Sequence, residues 1–554
     1  MRILFVLTFF LSLFFSLSSQ DNDLYRMMKD RNEFYFSFYF DLHGLDKISN
    51  LISIDKIENN RVVAYANNEE YNNFLTLGIE TKLLLPPSMF ENHNMYDGQT
   101  RLEYEWNEYP TYEAYEAMMN EYANSYSDKC SLIELATLES GRKLLIIRIN
   151  NGRQNCKPKV LLSSTIHGDE TVGFVLMLRL IDELLVNDTS PEVVNIRENV
   201  DLFICPNANP DGTYYAGNHT VTGATRFNSS GVDMNRNYPD CMAGAHPDGK
   251  DYAVETDAFM SLADKYQFTM SANYHGGAEV VNYPWDNSNK SHVDEDWWQM
   301  VSRQYADFAH CENPDYMIDR DNGITKGADW YMVNGSRQDY MNYYKQCREM
   351  TIECSSSKCP PASELPLYWR YNRNSILSFL NQALCGIRGF VKDTENHQPL
   401  KASVKILNHD DRYSVVETQL PNGDFYRPIK AGVYTLEIKA KGYAPKLETI
   451  AVADNERCVL DVTLDRIASS FEDYDCSDVE IVTNPYENNV VYIKTEETSQ
   501  EIRWELVSIQ GQIVKKSCDY NNVTEVNLCE LDSGVYFLKV IVGDKKTGKK
   551  IVVR

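Results

Sequence analysis

Between residues 109 and 384, short apolar runs recur, and each breaks directly into a polar turn. Val160–Ile166, Val200–Cys205, Phe268–Tyr274 and Met350–Ile352 all follow this pattern. Runs of that length bounded by turn residues are buried strands. Between the first two lies a helical stripe of Phe174, Leu178, Ile181 and Leu185. Strands that alternate with helices need crossover connections, so residues 109–384 are expected to form an α/β domain with a mixed, largely parallel sheet flanked by helices. Ligands of such sheets bind beyond the strands' carboxyl ends.

The remaining sequence divides around this region. The whole chain's 554 residues suggest about three or four domains. Residues 1–20 read as a signal peptide: Arg2 precedes an apolar run from Ile3 to Phe15, and Ser16 to Gln20 is small and polar. Residues 21–108 read as a propeptide-like segment and linker. Leu45, Ile48, Leu51 and Ile52 have helical spacing, Val62 to Tyr65 suggests a strand, Pro86-Pro87 ends the block, and Glu91 to Glu108 is a polar linker. After Cys385 the texture is all-β, so β-sandwiches are expected at 385–466 and 479–554, joined by an acidic linker at 467–478. The fold class is thus multidomain, an α/β domain followed by two β-sandwich domains.

Charge and cysteine usage narrow the setting. A net charge of −26 without a basic tract argues against nucleic acid as partner. No run after the first 20 residues approaches the roughly 18 apolar residues of a membrane span. An exported chain can oxidise its 13 cysteines, and Cys354 and Cys359 are close enough to be expected as a bridge.

The chemistry-bearing residues sit at strand ends. His167 and Glu170 follow the first run, and two such ligands three residues apart at a turn can face one metal ion. His275 ends a second strand and Glu353 a third. Arg226, Asn235 and Arg236 lie in polar turns between them. Singly, each is an ordinary strand-end polar group; their joint order is harder to obtain by accident.

His167-x-x-Glu170, Asn209-Pro210-Asp211-Gly212, Gly231 to Asp240, His275-Gly276-Gly277 and Thr351-Ile352-Glu353 together resemble the zinc metallocarboxypeptidases, in particular the regulatory, basic-residue-specific branch of the N and E type. The resemblance implies one zinc ion on His167, Glu170 and His275, with Glu353 as general base for the attacking water. It further implies that Arg226 polarises the scissile carbonyl and that Asn235 and Arg236 grip the terminal carboxylate of a peptide or protein. Tyr343 is expected as the phenol that caps the substrate, reached by counting from Asp339. Asp286, eleven residues after His275, is the position that pairs with Lys or Arg in that branch.

Residues 385–466 resemble the transthyretin-like module of the same branch, through Gly386 to Val391 and Gly442-Tyr443-Ala444-Pro445. The tail resembles the sorting domain of bacterial type IX secretion substrates, through Asn484-Pro485, Trp504 to Gly511, Gly534 to Phe537 and the closing Lys549 to Arg554. A secreted or cell-surface bacterial enzyme that meets the secretion machinery is therefore expected. The alternatives are a zinc amidase acting on peptidoglycan or acylated amino acids, and a surface-binding protein that no longer catalyses.

Overall fold

The computed structural model describes residues 22–467, 479–483, 490–495 and 501–553, apart from residues 42, 43, 91, 99, 102, 103, 152–155, 188, 510 and 544. The stretch expected as a signal peptide, residues 469–478 of the expected linker, and Asn484-Pro485 lie outside the described residues. Two compact units result, one running to Leu464 and the other comprising Gly442–Ala444 and the residues from Asp465 onward.

The first unit begins with a helix at 22–31 and a four-stranded antiparallel sheet. The strands run Ser53–Glu58, Arg61–Ala66, Phe34–Tyr39 and Lys82–Leu83 across the sheet. Phe34, Phe36 and Phe38 alternate along one strand, so all three reach the same face. There they meet Val62, Ala64, Tyr71 and Phe74 in a core of their own. Burying each of these aromatic side chains contributes about 1.5–3 kcal/mol, so this cluster holds the sheet and its helices together. Asn67 and Glu70 form a capping box that starts the helix Asn68–Leu75.

The stretch expected as a polar linker, 91–108, is not one. Tyr96 and Tyr104 are buried in the core of the following domain, and Met95–Tyr96 pairs with Tyr109–Pro110. Polar spacing hid aromatic anchors that find their partners far away in sequence.

The α/β domain is built on an eight-stranded mixed sheet. Lys159–Ser164 is central; Asp201–Cys205 and Met270–His275 flank it in parallel, and Arg348–Ser355 lies parallel beyond the latter. Cys130–Thr137, Lys143–Ile149 and Ala278–Tyr283 add antiparallel neighbours, and Ile324–Lys326 closes one edge. Val160 and Leu162 face helices Val172–Val186 and Leu365–Gln382, whereas Leu161 faces Val254–Tyr266 and Arg337–Lys345 on the other side. Burial on both faces explains why these strands read as continuous apolar runs. The parallel register sets His275 beside Glu353 at the carboxyl edge.

A β-rich region follows, with Gly386–Asp393, Asp424–Arg427, Arg457–Val459 and Val462–Leu464 in one sheet. Val416–Glu417, Ala402–Ile406, Gly432–Ala440 and Lys446–Val452 form another. In the second unit, Ile502–Ser508 is flanked by Ile513–Asp519 and Gly534–Val542, with Lys545–Val553 at the edge. Val491, Ile493, Trp504, Leu506, Leu538 and Val540 are among its core residues. Among the described residues no helix is long and apolar enough to cross a membrane.

Every described cysteine is free, so the Cys354–Cys359 bridge is not formed. Cys354 ends up inside the sheet with its Sγ 3.1 Å from the His275 carbonyl, while Cys359 turns to His93 Nε2 at 3.2 Å.

Candidate active site

Three strand ends converge on one buried point. The chain leaves Ser164, turns, and presents His167 and Glu170 just before the helix Val172–Val186. The turn is tight: a Cβ on Gly168 would lie 2.3 Å from the Gly212 carbonyl carbon, so only glycine fits. Asn209 pins the same turn by donating from Nδ2 to the carbonyls of Ile166 and Arg226. The Asn209–Gly212 motif is therefore a brace beneath the site.

His167, Glu170 and His275 each offer a ligand atom within 4.8 Å of the others, and all three are buried. His167 Nδ1 stands 2.9 Å from Glu170 Oε1, and His275 Nδ1 stands 2.9 Å from Glu170 Oε2. The Nδ1 atoms thus face inward. His167 Nε2 is held 3.1 Å from Asp233 Oδ1, the carboxylate partner that orients a metal-binding imidazole. His275 Nε2 lies 2.8 Å from the Asn273 side-chain amide. Burial lowers His275 to about 4, so its imidazole is neutral, the form that ligates a metal. Burial would raise Glu170, but His167, Lys358 and His275 outweigh it and hold the carboxyl well below its usual range. Two imidazoles and one carboxylate, closed to bulk water, match the donor set of a catalytic zinc site that keeps a position open.

Around this cluster is a cleft lined by Arg226, Asn235, Arg236, Asp286, Tyr331, Glu353 and Lys358 among others. The Glu353 Oε2 atom is buried without a partner among the described residues, and burial together with the Glu170 charge raises its carboxyl well above the usual range. Arg226 is fixed by Asp233, which accepts from its Nε at 3.0 Å. Arg236 differs: its Nη1 donates to the Asn235 carbonyl, while its Nε and Nη2 have no partner among the described residues. Asp286 sits in the cavity wall and accepts from Asn282 Nδ2 at 3.1 Å and Gln338 Nε2 at 3.0 Å. A Cβ on Gly327 would come within 1.9 Å of its Oδ1, so glycine there leaves the carboxylate its room.

One expected residue is elsewhere. Tyr343 does not line the cavity; it lies on the helix Arg337–Lys345 and stacks on Tyr413 at 6.1 Å. Tyr331 takes the cavity position instead, at the end of the short helix Gly327–Trp330. Counting from Asp339 started from a residue whose side chain is spent on the Asp286 and Asn287 backbone amides. The Asp329-Trp330-Tyr331 triplet upstream was the signal to follow.

The N-terminal domain, expected as a propeptide-like segment, also reaches the site. Its edge strand Ser53–Glu58 lies against the site through three consecutive residues. Ser53 Oγ donates to Asp233 Oδ2 at 2.5 Å, the Ile54 carbonyl accepts from the Tyr331 hydroxyl at 3.2 Å, and Asp55 pairs with Lys358 Nζ at 3.1 Å. Lys358 Nζ in turn lies 2.6 Å from Glu170 Oε1. Tyr65 donates to Asp169, and Glu33 accepts from the Arg226 backbone amide.

Residues 115–375 match the zinc carboxypeptidase family, and residues 483–554 match the secretion system C-terminal sorting domain. Carboxypeptidase D of Anas platyrhynchos is 32% identical over 380 residues, covering 65% of this chain and 27% of that protein. The catalytic chain of human carboxypeptidase N is 31% identical, covering 59% of this chain and 79% of that one. Carboxypeptidase E of Caenorhabditis elegans is 29% identical, covering 64% and 85%. The chain spans about a quarter of the length of the carboxypeptidase D relatives it matches. With its ligand cluster and sheet, this chain belongs to the zinc carboxypeptidase family, and it carries a C-terminal secretion sorting domain.

Proposed function

We propose that the protein removes the last residue of peptides and proteins, with a preference for C-terminal Lys or Arg. The observation that carries the reading is the unpaired Arg236 guanidinium in the same cavity as the His167, Glu170 and His275 cluster. A planar guanidinium with two free donors is matched to a carboxylate, so Arg236 with Asn235 holds a substrate's free end. Zinc, when bound, supplies Lewis acidity that makes water nucleophilic near neutral pH. Glu353 takes the proton from the attacking water and delivers it to the leaving amine. Arg226 donates to the carbonyl oxygen as its negative charge grows. Tyr331 covers the bound end. Asp286 faces the side chain of the departing residue, where an apolar group would leave the carboxylate unpaired.

Matched peptides with free and amidated C-termini test the reading. Cleavage of the free form alone is expected. Equal cleavage of both would favour the amidase, and cleavage of neither a binding protein. For the preference, an Arg-ended peptide should be trimmed faster than a Phe-ended one; the reverse order would defeat it.

The N-terminal domain is read as a removable cover. Strand Ser53–Glu58 occupies the cavity wall and holds the Tyr331 hydroxyl, which a bound substrate would need. Removing residues 22–90 from the folded protein by limited proteolysis should raise kcat/KM on peptides; unchanged or lower activity would make the domain a permanent part of the site. The tail is read as a type IX secretion signal, and a chain lacking 479–554 should stay in the periplasm. The β-rich region 385–466 and the tail are both read as sandwich modules, the former transthyretin-like.

A further inference from the structure

We propose that the β-rich region 386–464 positions the basic-residue pocket, with Tyr413 acting through Trp285 on Asp286. The inference rests on the reading of Asp286 given above and extends it to residues outside the cavity.

Trp285 immediately precedes Asp286 in the loop after strand Ala278–Tyr283. Its indole is only 5% exposed, and the β-rich region supplies one of its walls. Tyr413 meets it edge-on, with ring centroids 5.0 Å apart and planes at 89°. His292 packs on Trp285 at 5.2 Å and on Tyr413 at 5.1 Å. Tyr343 completes the cage, 6.2 Å from Trp285 and nearly parallel to Tyr413, with the Arg412 guanidinium 4.7 Å over its ring. Edge-to-face and stacked arrangements have preferred geometries, so the cage fixes where the indole sits. The half-buried position of Tyr343 outside the cavity is accounted for by this role.

A second anchor keeps the region from shifting. Asp294 accepts from Arg427 Nη1 at 2.8 Å and Nη2 at 3.0 Å, from His409 Nε2 at 2.8 Å, and from Arg348 Nη2 at 2.9 Å. Arg427 and His409 belong to the β-rich region; Arg348 opens the strand that carries Glu353. Arg427, Arg348 and Asp294 are all buried. A buried charge that loses its partner is strongly disfavoured, so this cluster allows one docked arrangement.

The two anchors grip both elements that bear the chemistry: the base strand at its start and the Asp286 loop beside its carboxylate. Hydrogen bonds from Asn282 and Gln338 set the rotation of the Asp286 side chain. The packing of Trp285 sets how far the loop stands into the cavity. A displacement of about 1 Å in a positioning element costs up to about a hundredfold in rate.

The test compares Tyr413→Ala, Tyr413→Phe, Asp286→Ala and Ile438→Ala in the full chain. The substrates are one peptide ending in Arg and the same peptide ending in Ala. Ile438 is buried within the β-rich region and serves as a stability control. Tyr413→Ala should raise KM for the Arg peptide about tenfold, with kcat and the Ala peptide changed less than about twofold. Tyr413→Phe should behave as the parent, and Ile438→Ala should lower Tm without altering the Arg-to-Ala ratio. The inference falls if Tyr413→Ala leaves that ratio within about twofold of the parent, or impairs both peptides equally. If near-ultraviolet circular dichroism shows Tyr413→Ala misfolded, Tyr413→Leu replaces it with the same expectation at about threefold. An Asp286→Ala protein with an unchanged ratio defeats the pocket reading and this inference together. A collapsed ratio in Asp286→Ala with an intact one in Tyr413→Ala defeats the inference alone.

Discussion

Replacing Arg236 by Ala should cost peptide hydrolysis about a hundredfold in kcat/KM. Two guanidinium atoms, Nε and Nη2, have no partner among the described residues and can serve a carboxylate. Hydrogen bonds between charged partners are worth about 1.5–3 kcal/mol each, and the lower figure for both already gives a large effect. Their loss is about 3 kcal/mol, or about two factors of ten at 1.36 kcal/mol each. The clamp acts on ground and transition states alike, so the loss should fall mainly on KM. Arg236→Lys keeps the charge but not the fork and should recover about tenfold. Only Nη1 is bonded within the protein, to the Asn235 carbonyl, so Tm should barely move. Steady-state kinetics on a free-ended peptide reads all of this. An Arg236→Ala protein within about threefold of the parent would refute the assignment of the clamp.

Three further outcomes follow from the geometry. Asp286→Ala should lower kcat/KM for Arg-ended peptides by at least about tenfold and leave Ala-ended peptides within about twofold, read by competition kinetics. Asp55→Ala removes the Lys358 partner from the covering strand, so the intact chain should gain peptide activity and its N-terminal domain should be cut faster by trypsin. Burial, opposed by Arg31 and reinforced by Asp169, pushes Glu33 up to about 7. Its folded pKa exceeds its unfolded value, so its contribution to stability is full below about 4.5 and lost as pH rises through about 7, on the order of 3 kcal/mol. Thermal melts should therefore show the N-terminal domain loosening between pH 5 and 8, and Glu33→Gln should flatten that dependence.

The ligand cluster was legible because polar groups at strand ends interrupt apolar runs that burial on both sheet faces makes conspicuous. His167, Glu170, His275 and Glu353 each stand where such a run stops. The register that sets His275 beside Glu353 is a product of strand pairing and leaves no local trace. The same holds for the covering strand: Ser53 and Asp233 meet across 180 residues, and the Ser53–Asp55 segment looks like any edge strand. Tyr331 was missed because several tyrosines crowd the 331–344 segment, and only packing sorts the one in the cavity from the one in the Trp285 cage. The 91–108 stretch misled because two buried tyrosines outweigh its polar neighbours in deciding where it lies. The Cys354–Cys359 bridge misled because closeness in sequence says nothing about which way two sulfurs point.

The most direct test of the account pairs zinc content with turnover by a Glu353→Gln protein. Glu353 lines the cavity of the ligand cluster but is not one of the three grouped donors. The account predicts one zinc ion per chain in both parent and variant, cleavage of free-ended peptides by the parent, and a loss of at least about a thousandfold in kcat for the variant. A variant that binds zinc and retains the parent's kcat would contradict it.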